Sequence, residues 1–287
     1  MNGSKKMSKV TVVSALFNID RVDGRKWDEY LEWFDITLKL KVPMVLFVTE
    51  DLVDFVRERR GDDIIVNMDG GIGGSWTADD QTEIIVQSLE DMPYYYLKDN
   101  IQDILDSDKY KEDMSDPDRI ECKQAMYSVI QYSKFPWLTK AAEVNPFGSD
   151  YFFWLDAGAS RFFEGYDLSQ EYPSKEALSS LDGMGESFLV QMNTEYYTDL
   201  SGAKELSLDY LYDNRSYVLG SMFGGHKKSV FKVCDMVHNL LMYDMIDKGS
   251  VNNEQIALGY LIKNYPDEFA LYERTNGKHM DLFQELG

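Results

Sequence analysis

Asp156 is the residue whose type and position first indicate chemistry. It directly follows Tyr151–Leu155, an uninterrupted apolar run that predicts a buried strand. Ala157 and Gly158 come next, and their small size would let a ligand approach the backbone. Ligands of open α/β sheets bind beyond the carboxyl ends of strands, where a carboxylate can hold a divalent cation against a diphosphate. Alternatively, Asp156 only caps the following turn, and its spacing alone does not separate these interpretations.

The elements that must position Asp156 begin with alternating strand and helix patterns. Apolar, β-branched runs predict strands over residues 10–19, 44–49 and 64–66. Between them, apolar residues spaced by three and four predict a helix over 26–40, and a short helix is predicted over 52–59. Strands buried on both faces that alternate with helices indicate a parallel α/β sheet.

The second half of the chain continues with strands and longer helices. Strands are predicted over 188–192 and 218–223, and the latter is expected to end at Gly224 and Gly225. Helices are predicted over 121–142, 229–248 and 254–264, and the tail from Tyr265 is expected to be a loop.

These patterns predict one α/β domain over residues 1–287, with a mixed, mostly parallel central sheet flanked by helices. Residues 1–9 are predicted to be a flexible leader, and about 10–66 a nucleotide-binding half. About 120–287 would hold the metal and acceptor sites. The glycine cluster at 70–74 lacks the spacing of a dinucleotide-binding loop, so we predict a mobile loop there.

The charge of the chain limits its partners. Acidic residues outnumber basic ones 50 to 29, which gives a formal net charge of -21. A field of that sign repels nucleic acid and anionic membranes, so a general nucleic-acid-binding role is excluded. An anionic small ligand would need a local cation, a basic side chain or a helix N-terminus to reverse the field inside a pocket. No apolar run has the length of a transmembrane segment and no signal-peptide core is evident, so we predict a cytoplasmic protein.

Residues 145–158, Asn-Pro-Phe-Gly-Ser-Asp-Tyr-Phe-Phe-Trp-Leu-Asp-Ala-Gly, resemble the signature of the HtrL/YibB and WlaTC proteins. These bacterial and viral proteins are linked to the synthesis of surface glycans such as lipopolysaccharide, and are regarded as glycosyltransferases of the GT-A type. The middle stretch 67–118 matches poorly. Other parts of the resemblance are residues 11–18, 27–33, 132–136, 223–225 and 253–255.

The resemblance implies a GT-A-like domain in which an Asp-any-Asp triplet holds a metal ion. Here the triplet is Trp154-Leu155-Asp156, which keeps only the last acid. A Mn²⁺ or Mg²⁺ ion is therefore expected at Asp156, with His279 as a late ligand. The residues expected to contact the nucleotide-sugar donor are Ala15, Leu16, Phe17, Asn18, Lys134, Asp156 and Gly158. The alternatives without a functional role are a strand-to-loop turn for residues 15–18 and a solvated surface position for Lys134.

On the acceptor side, the resemblance implies contacts from Gly224, Gly225 and Gln255. Glu254 would be the catalytic base that deprotonates the acceptor hydroxyl. A tight turn explains the glycine pair almost as well. An acidic residue in the first turn of a helix is also favourable without any function.

The predicted activity is transfer of a sugar from a UDP- or GDP-linked donor to a glycan hydroxyl with a divalent metal, by an inverting or a retaining route. Two other classes of function remain open. A sugar nucleotidyltransferase would use a similar sheet and metal, but the sequence lacks a Gly-rich phosphate loop near the first strand. A non-catalytic glycan- or partner-binding protein would be served by the 14% aromatic content and by the reduced metal motif.

Overall fold

A mixed β-sheet forms the centre of the protein in the computed structural model, which describes residues 9–61, 64–67, 81–163, 166–193, 205–273 and 282–286. The sheet has 8 strands in the described residues, in the spatial order β3-β4-β2-β1-β5-β7-β6-β8. Strand β7 is antiparallel to both of its neighbours, whereas the other pairings are parallel. The strands are β1 (Val10–Leu16), β2 (Met44–Val48), β3 (Ile64–Asn67), β4 (Thr82–Val86), β5 (Tyr151–Leu155), β6 (Phe188–Met192), β7 (Val218–His226) and β8 (Phe269–Tyr272).

Helices cover both faces of this sheet. Strand β1 shows the arrangement, since Val13 packs into one hydrophobic core and Val12 into the other. The α-helices are α1 (Trp27–Thr37), α2 (Val53–Arg60), α3 (Lys98–Asp106), α4 (Asp108–Asp113), α5 (Ala125–Val144), α6 (Lys175–Met184), α7 (Lys227–Asn239), α8 (Glu254–Asn264) and α9 (Leu282–Leu286). A π-helical segment, Leu240–Ile246, continues α7. The predicted α/β fold with a mostly parallel sheet between helices is confirmed.

The order of the strands creates a crevice beside β1. The chain leaves β1 for β2 on one side and later returns to β5 on the other side. The chain segments that leave the carboxyl ends of these two parallel strands therefore run apart. Such a switch point is where open α/β sheets bind ligands, because the outgoing loops separate there. Asp156 and Asn18 both follow strands that end at this crevice.

Several predicted boundaries were wrong. Strand β1 ends at Leu16 rather than at residue 19, and β7 runs through Gly224 and Gly225 to His226. The predicted end of β7 was wrong because these glycines lie within the strand, where they allow close packing in the sheet, and do not form a turn. A side chain at Gly224 would place its Cβ 2.1 Å from the carbonyl oxygen of Phe152 on β5.

The chain after Tyr265 is also more regular than expected. Residues Pro266–Glu268 form a 3₁₀ turn, and β8 then pairs with β6 as an edge strand. Its four residues are apolar but only half-buried, and so short a run without β-branched residues is a weak strand signal in the sequence. The glycines at 70–74 lie outside the described residues. Within the described residues, none of the helices combines the length and apolar character needed to cross a membrane.

Replacement of Gly224 by alanine tests the role of this glycine in the sheet. Gly224 has a φ of 154°, and a Cβ added there would also lie 2.6 Å from the Cα of Phe153. We expect Gly224→Ala to lower the free energy of unfolding by about 2–4 kcal/mol, measured by urea denaturation.

Gly183→Ala is the matched control, because Gly183 lies on an exposed part of α6 with no atom within 4 Å of the added carbon. We expect no loss of stability there, since alanine favours a helix over glycine by about 0.5–1 kcal/mol. Equal effects of the two substitutions would contradict a specific steric role for Gly224.

Candidate active site at the carboxyl ends of β1 and β5

A cleft of about 620 Å³ opens at the crevice between β1 and β5. It is lined by residues from the end of β1, from α5, from the segment after β5, from β7 and from the start of α8. The sequence-predicted residues that line it are Ala15, Leu16, Phe17, Asn18, Lys134, Asp156, Gly158, Glu254 and Gln255. The tertiary structure therefore brings the predicted donor residues and the predicted base into one cleft.

The ammonium group of Lys134 is buried between two carboxylates. Its Nζ lies 2.8 Å from Oδ1 of Asp156 and 2.7 Å from Oε1 of Glu254. It also donates to the carbonyl oxygen of Gly220 at 3.2 Å. The side chains of Lys134 and Glu254 are 8% and 1% exposed, so this is an interior ion pair rather than a surface contact. Lys134 is therefore not a solvated surface residue, which was the alternative to its functional role.

Burial lowers the pKa of Lys134, but the neighbouring charges of Asp156 and Glu254 raise it more, and the net direction is upward. Lys134 is therefore a permanent cation that joins three elements. It belongs to α5, Asp156 follows β5, and Glu254 opens α8.

Asp156 is held in place by a second donor. The indole Nε1 of Trp154 donates to Oδ1 of Asp156 at 2.7 Å, the same oxygen that Lys134 contacts. Trp154 occupies the position where an Asp-any-Asp triplet has its first acid, so an indole donor here replaces a carboxylate. Within the described residues, Oδ2 of Asp156 has no hydrogen-bond partner. The Asp156 side chain is 30% exposed, which leaves this oxygen accessible to a ligand.

Glu254 is the first residue of α8, and the side chain of Asn253 caps this helix by accepting from the backbone N–H of Ile256. Burial raises the pKa of the Glu254 carboxyl, and although Lys134 acts in the opposite direction, the net shift is upward. Its Oε2 atom is buried and, in the described part of the chain, has no hydrogen-bond partner. Gly220 makes this position possible, because a Cβ there would lie 2.5 Å from Oε1 of Glu254.

Sequence reasoning missed other residues of the cleft. The arginines Arg21, Arg25 and Arg161 line it, as does Gly220 of β7. The arginines follow β1 and β5, as do Asn18 and Asp156, so position after a buried strand was the signal available for them. Gly220 has no comparable signal in the sequence, because its role depends on the approach of α8.

One part of the predicted site lies away from the cleft, and another lies outside the described residues. Gly224 and Gly225 do not line the cleft; they lie within β7, where they pair with Phe153 and Phe152 of β5. Strands β5 and β6 flank these glycines on both sides, and their predicted acceptor contact stays a prediction. His279, the predicted late metal ligand, lies outside the described residues.

The described residues do not by themselves fit a divalent cation at Asp156. None of their His, Cys, Asp and Glu side chains form a group of three or more that could hold one. Asp156 offers a single available oxygen, and the ammonium of Lys134 lies 2.8 Å from the other oxygen and would repel a second cation. A metal ion at this position would need ligands from the donor or from residues outside the described ranges. The predicted Mn²⁺ or Mg²⁺ ion thus stays a prediction.

Comparison with known families identifies the chain. Residues 8–286 match the family described as "Bacterial protein of unknown function (HtrL_YibB)". The chain belongs to the HtrL/YibB family. This match confirms the HtrL/YibB part of the sequence resemblance, whereas the likeness to WlaTC proteins stays a prediction.

Comparison with individual proteins says less about this chain than the family match does. No curated protein matches this HtrL/YibB chain. Among solved structures, the apo form of mouse xyloside xylosyltransferase 1 is similar at a TM-score of 0.43 and 8% sequence identity. That similarity covers 92% of this chain and 84% of the mouse chain.

Removal of the buried cation tests the ion-pair centre. We expect Lys134→Met to lower the free energy of unfolding by about 3–5 kcal/mol, because the buried Glu254 and the partly exposed Asp156 would lose their shared counter-charge. Urea denaturation measures this change. The double variant Lys134→Met/Glu254→Gln should be more stable than the sum of the single effects by about 0.5–3 kcal/mol.

Lys228→Met is the control, since Lys228 pairs with Glu186 at the surface with side chains 70% and 57% exposed. Such a pair contributes at most about 1 kcal/mol. Additive effects in the double variant would contradict direct coupling between Lys134 and Glu254.

Glu254 should also give stability a characteristic pH dependence. Because its pKa is raised above the ordinary value of 4.5 in the folded protein, the folded state favours the protonated carboxyl. The stability that this adds is present below pH 4.5 and is lost as the pH rises through the folded-state pKa. Relative to Glu254→Gln, the wild-type protein should therefore lose stability as the pH rises from 4.5 toward neutral.

Urea denaturation of both proteins from about pH 4 to about pH 8 measures this difference. Glu176→Gln, at an exposed position in the first turn of α6, is the control for loss of a surface carboxylate. Parallel stability curves for the wild type and Glu254→Gln would show that Glu254 titrates alike in the folded and unfolded states.

Proposed function

We propose that this protein is a glycosyltransferase, which moves a sugar from a nucleoside diphosphate sugar to a hydroxyl group of a glycan acceptor. The observation that carries the proposal is the composition of the cleft at the switch point of the sheet. There the buried carboxylate of Glu254, one of whose oxygens has no partner among the described residues, lies beside a second carboxylate and several basic side chains. Sugar transfer from a diphosphate leaving group requires both kinds of charge at close range.

The donor would bind at the end of β1 and beyond β5. Residues 15–18 line the cleft and would contact the nucleoside. Gly158 would let the donor approach the backbone after β5, because only the hydrogen of a glycine intervenes there. Lys134 would contribute positive charge to the site, and the available Oδ2 of Asp156 would accept from a hydroxyl of the donor sugar or contact a cation.

Glu254 would act on the acceptor. In a direct displacement, the acceptor oxygen forms a bond to the anomeric carbon, the bond from that carbon to the diphosphate breaks, and the hydroxyl proton passes to Glu254. Oε2 is the atom available for this proton, since Oε1 is held by Lys134. Burial raises the pKa of Glu254, and a carboxylate of higher pKa is a stronger general base. In a retaining reaction the same carboxylate would stabilise the developing positive charge on the sugar. Gln255 lies next to it in the cleft and would contact the acceptor.

Turnover of nucleotide sugars tests the proposal. Purified protein is incubated with a panel of UDP- and GDP-sugars and candidate glycan acceptors, with Mn²⁺, Mg²⁺ or EDTA, and released nucleoside diphosphate is quantified. We expect one donor to be consumed, and Glu254→Gln to lower kcat by about 10²–10⁴-fold with little change in KM. Glu176→Gln should leave kcat unchanged.

Other outcomes would favour the other classes of function. Binding of a nucleoside diphosphate without release from any donor would favour a binding protein. Formation of a nucleotide sugar and pyrophosphate from a nucleoside triphosphate and a sugar phosphate would favour a nucleotidyltransferase. Neither binding nor turnover of any nucleotide would contradict the glycosyltransferase proposal.

A further inference from the structure

The cleft reverses the charge balance of the chain. Over the whole sequence, acidic residues outnumber basic ones 50 to 29. Among the residues that line the cleft, the acidic side chains are those of Asp156 and Glu254, and the basic ones are Arg21, Arg25, Lys134 and Arg161. An excess of cations inside an acidic protein indicates an anionic ligand, because the surrounding field would otherwise exclude it.

Two of these basic residues are already neutralised. Lys134 is shared between Asp156 and Glu254. Arg21 makes a two-pronged contact with Asp23, from Nε to Oδ1 at 2.9 Å and from Nη2 to Oδ2 at 2.5 Å. Its Nη1 donates to the hydroxyl of Tyr30 at 2.6 Å. Every nitrogen of the Arg21 guanidinium therefore has a partner within the protein.

Arg25 and Arg161 differ from these two. Within the described residues, neither side chain forms an ion pair with a carboxylate. Burial lowers the pKa of Arg161, the positive charge of Arg25 lowers it further, and the negative charge of Asp156 partly opposes both effects. Arg25 is exposed and Arg161 is partly buried, and two like charges that line one cleft favour an anion that binds between them.

Arg161 is held with its terminal nitrogens available. Its Nε donates to the carbonyl oxygen of Gly158 at 2.9 Å. Its guanidinium carbon lies 4.8 Å from the ring centroid of Trp33 and 5.0 Å from that of Phe162. Among the described residues, no acceptor bonds to its Nη1 or Nη2. This end of the guanidinium presents parallel N–H donors, the geometry that matches phosphate oxygens.

We infer that Arg25 and Arg161 form the subsite for the diphosphate group of the donor, and that they bind it without requiring a divalent cation. This inference rests on the proposed function, which supplies the donor. Arg25 follows β1 and Arg161 follows β5, and both line the cleft. Their combined charge matches a dianionic diphosphate, and both guanidinium groups remain charged at any physiological pH. In the reaction they would stabilise the negative charge that develops on the departing diphosphate.

Calorimetric binding experiments in EDTA test this subsite. The ligands are inorganic pyrophosphate, UDP and GDP, each titrated into the full-length protein. We expect pyrophosphate and one nucleoside diphosphate to bind in EDTA, and expect Arg25→Gln and Arg161→Gln each to weaken this binding about 10- to 100-fold. Arg161→Lys keeps the charge but loses the paired donors, so its affinity should lie between those of the wild type and Arg161→Gln.

Arg57→Gln is the matched control, since Arg57 lies on α2 with its side chain 53% exposed. It should leave both affinities unchanged. Circular dichroism and thermal melting of each variant separate loss of binding from loss of folding, and Arg25, which is exposed, provides a variant whose fold does not depend on the side chain.

The outcomes separate this inference from the proposed function. Arginine-dependent binding of pyrophosphate, without turnover of any nucleotide sugar, would support the subsite and overturn the transferase. Binding of a nucleoside diphosphate that is unchanged in both arginine variants, or that is abolished by EDTA, would overturn the subsite and leave the transferase intact. No binding of pyrophosphate or of either nucleoside diphosphate would overturn the subsite.

Discussion

The buried ammonium of Lys134 determines how the parts of this protein must meet. A charge in the protein interior is tolerated only when it is paired and hydrogen-bonded, so Lys134 requires both carboxylates that contact it. Those carboxylates come from different elements, Asp156 from the segment after β5 and Glu254 from the first turn of α8. Neither α5, which carries Lys134, nor α8, which carries Glu254, can move away from the sheet without leaving an unpaired charge behind. The same contacts hold the two carboxylates at fixed positions in the cleft, which is a condition for precise chemistry.

The surrounding packing makes this centre rigid. Trp137 of α5 stacks on Trp154 of β5 at 6.0 Å between ring centroids, and also on Phe17 at 5.4 Å. The indole of Trp154 is therefore locked where its N–H reaches Asp156. Trp154 extends the core to the edge of the cleft and orients Asp156 through a hydrogen bond.

The distribution of charge separates the surface from the cleft. With a net charge of -21, the protein repels anions at long range, and electrostatic steering of a nucleotide toward it is unfavourable. Attraction begins only where the guanidinium groups of Arg25 and Arg161 are close to the ligand, and where exclusion of water strengthens it. A ligand recognised in this way must enter the cleft before it gains binding energy. Anions that cannot enter, such as nucleic acids, gain nothing.

Much of the fold could be predicted from the sequence. Central strands that are buried on both faces appear as continuous apolar runs, and amphipathic helices show their period, so β1, β2, β5 and α1 were recognisable. The edge strand β8 was not, because its run of four apolar residues is short and contains no β-branched residue. Within the cleft, the position after a buried strand identified residues 15–18 and Asp156, whereas Arg25 and Arg161 follow the same strands without a motif. Strand β7 was predicted to end at Gly224 and Gly225, because a glycine needed for close strand packing and a glycine needed for a bend are identical in the sequence.

The sequence by itself therefore determined the α/β class, the family and the strand that presents Asp156, since these depend on local patterns and on a contiguous motif. Only the tertiary structure decided which charges are paired. Lys134 is 120 residues from Glu254 along the chain, and the contact between them exists only because α5 and α8 pack on the same side of β7. Pairing determines which cations are neutralised and which remain free for a ligand. It depends on distances in space, which a linear pattern of residues does not contain.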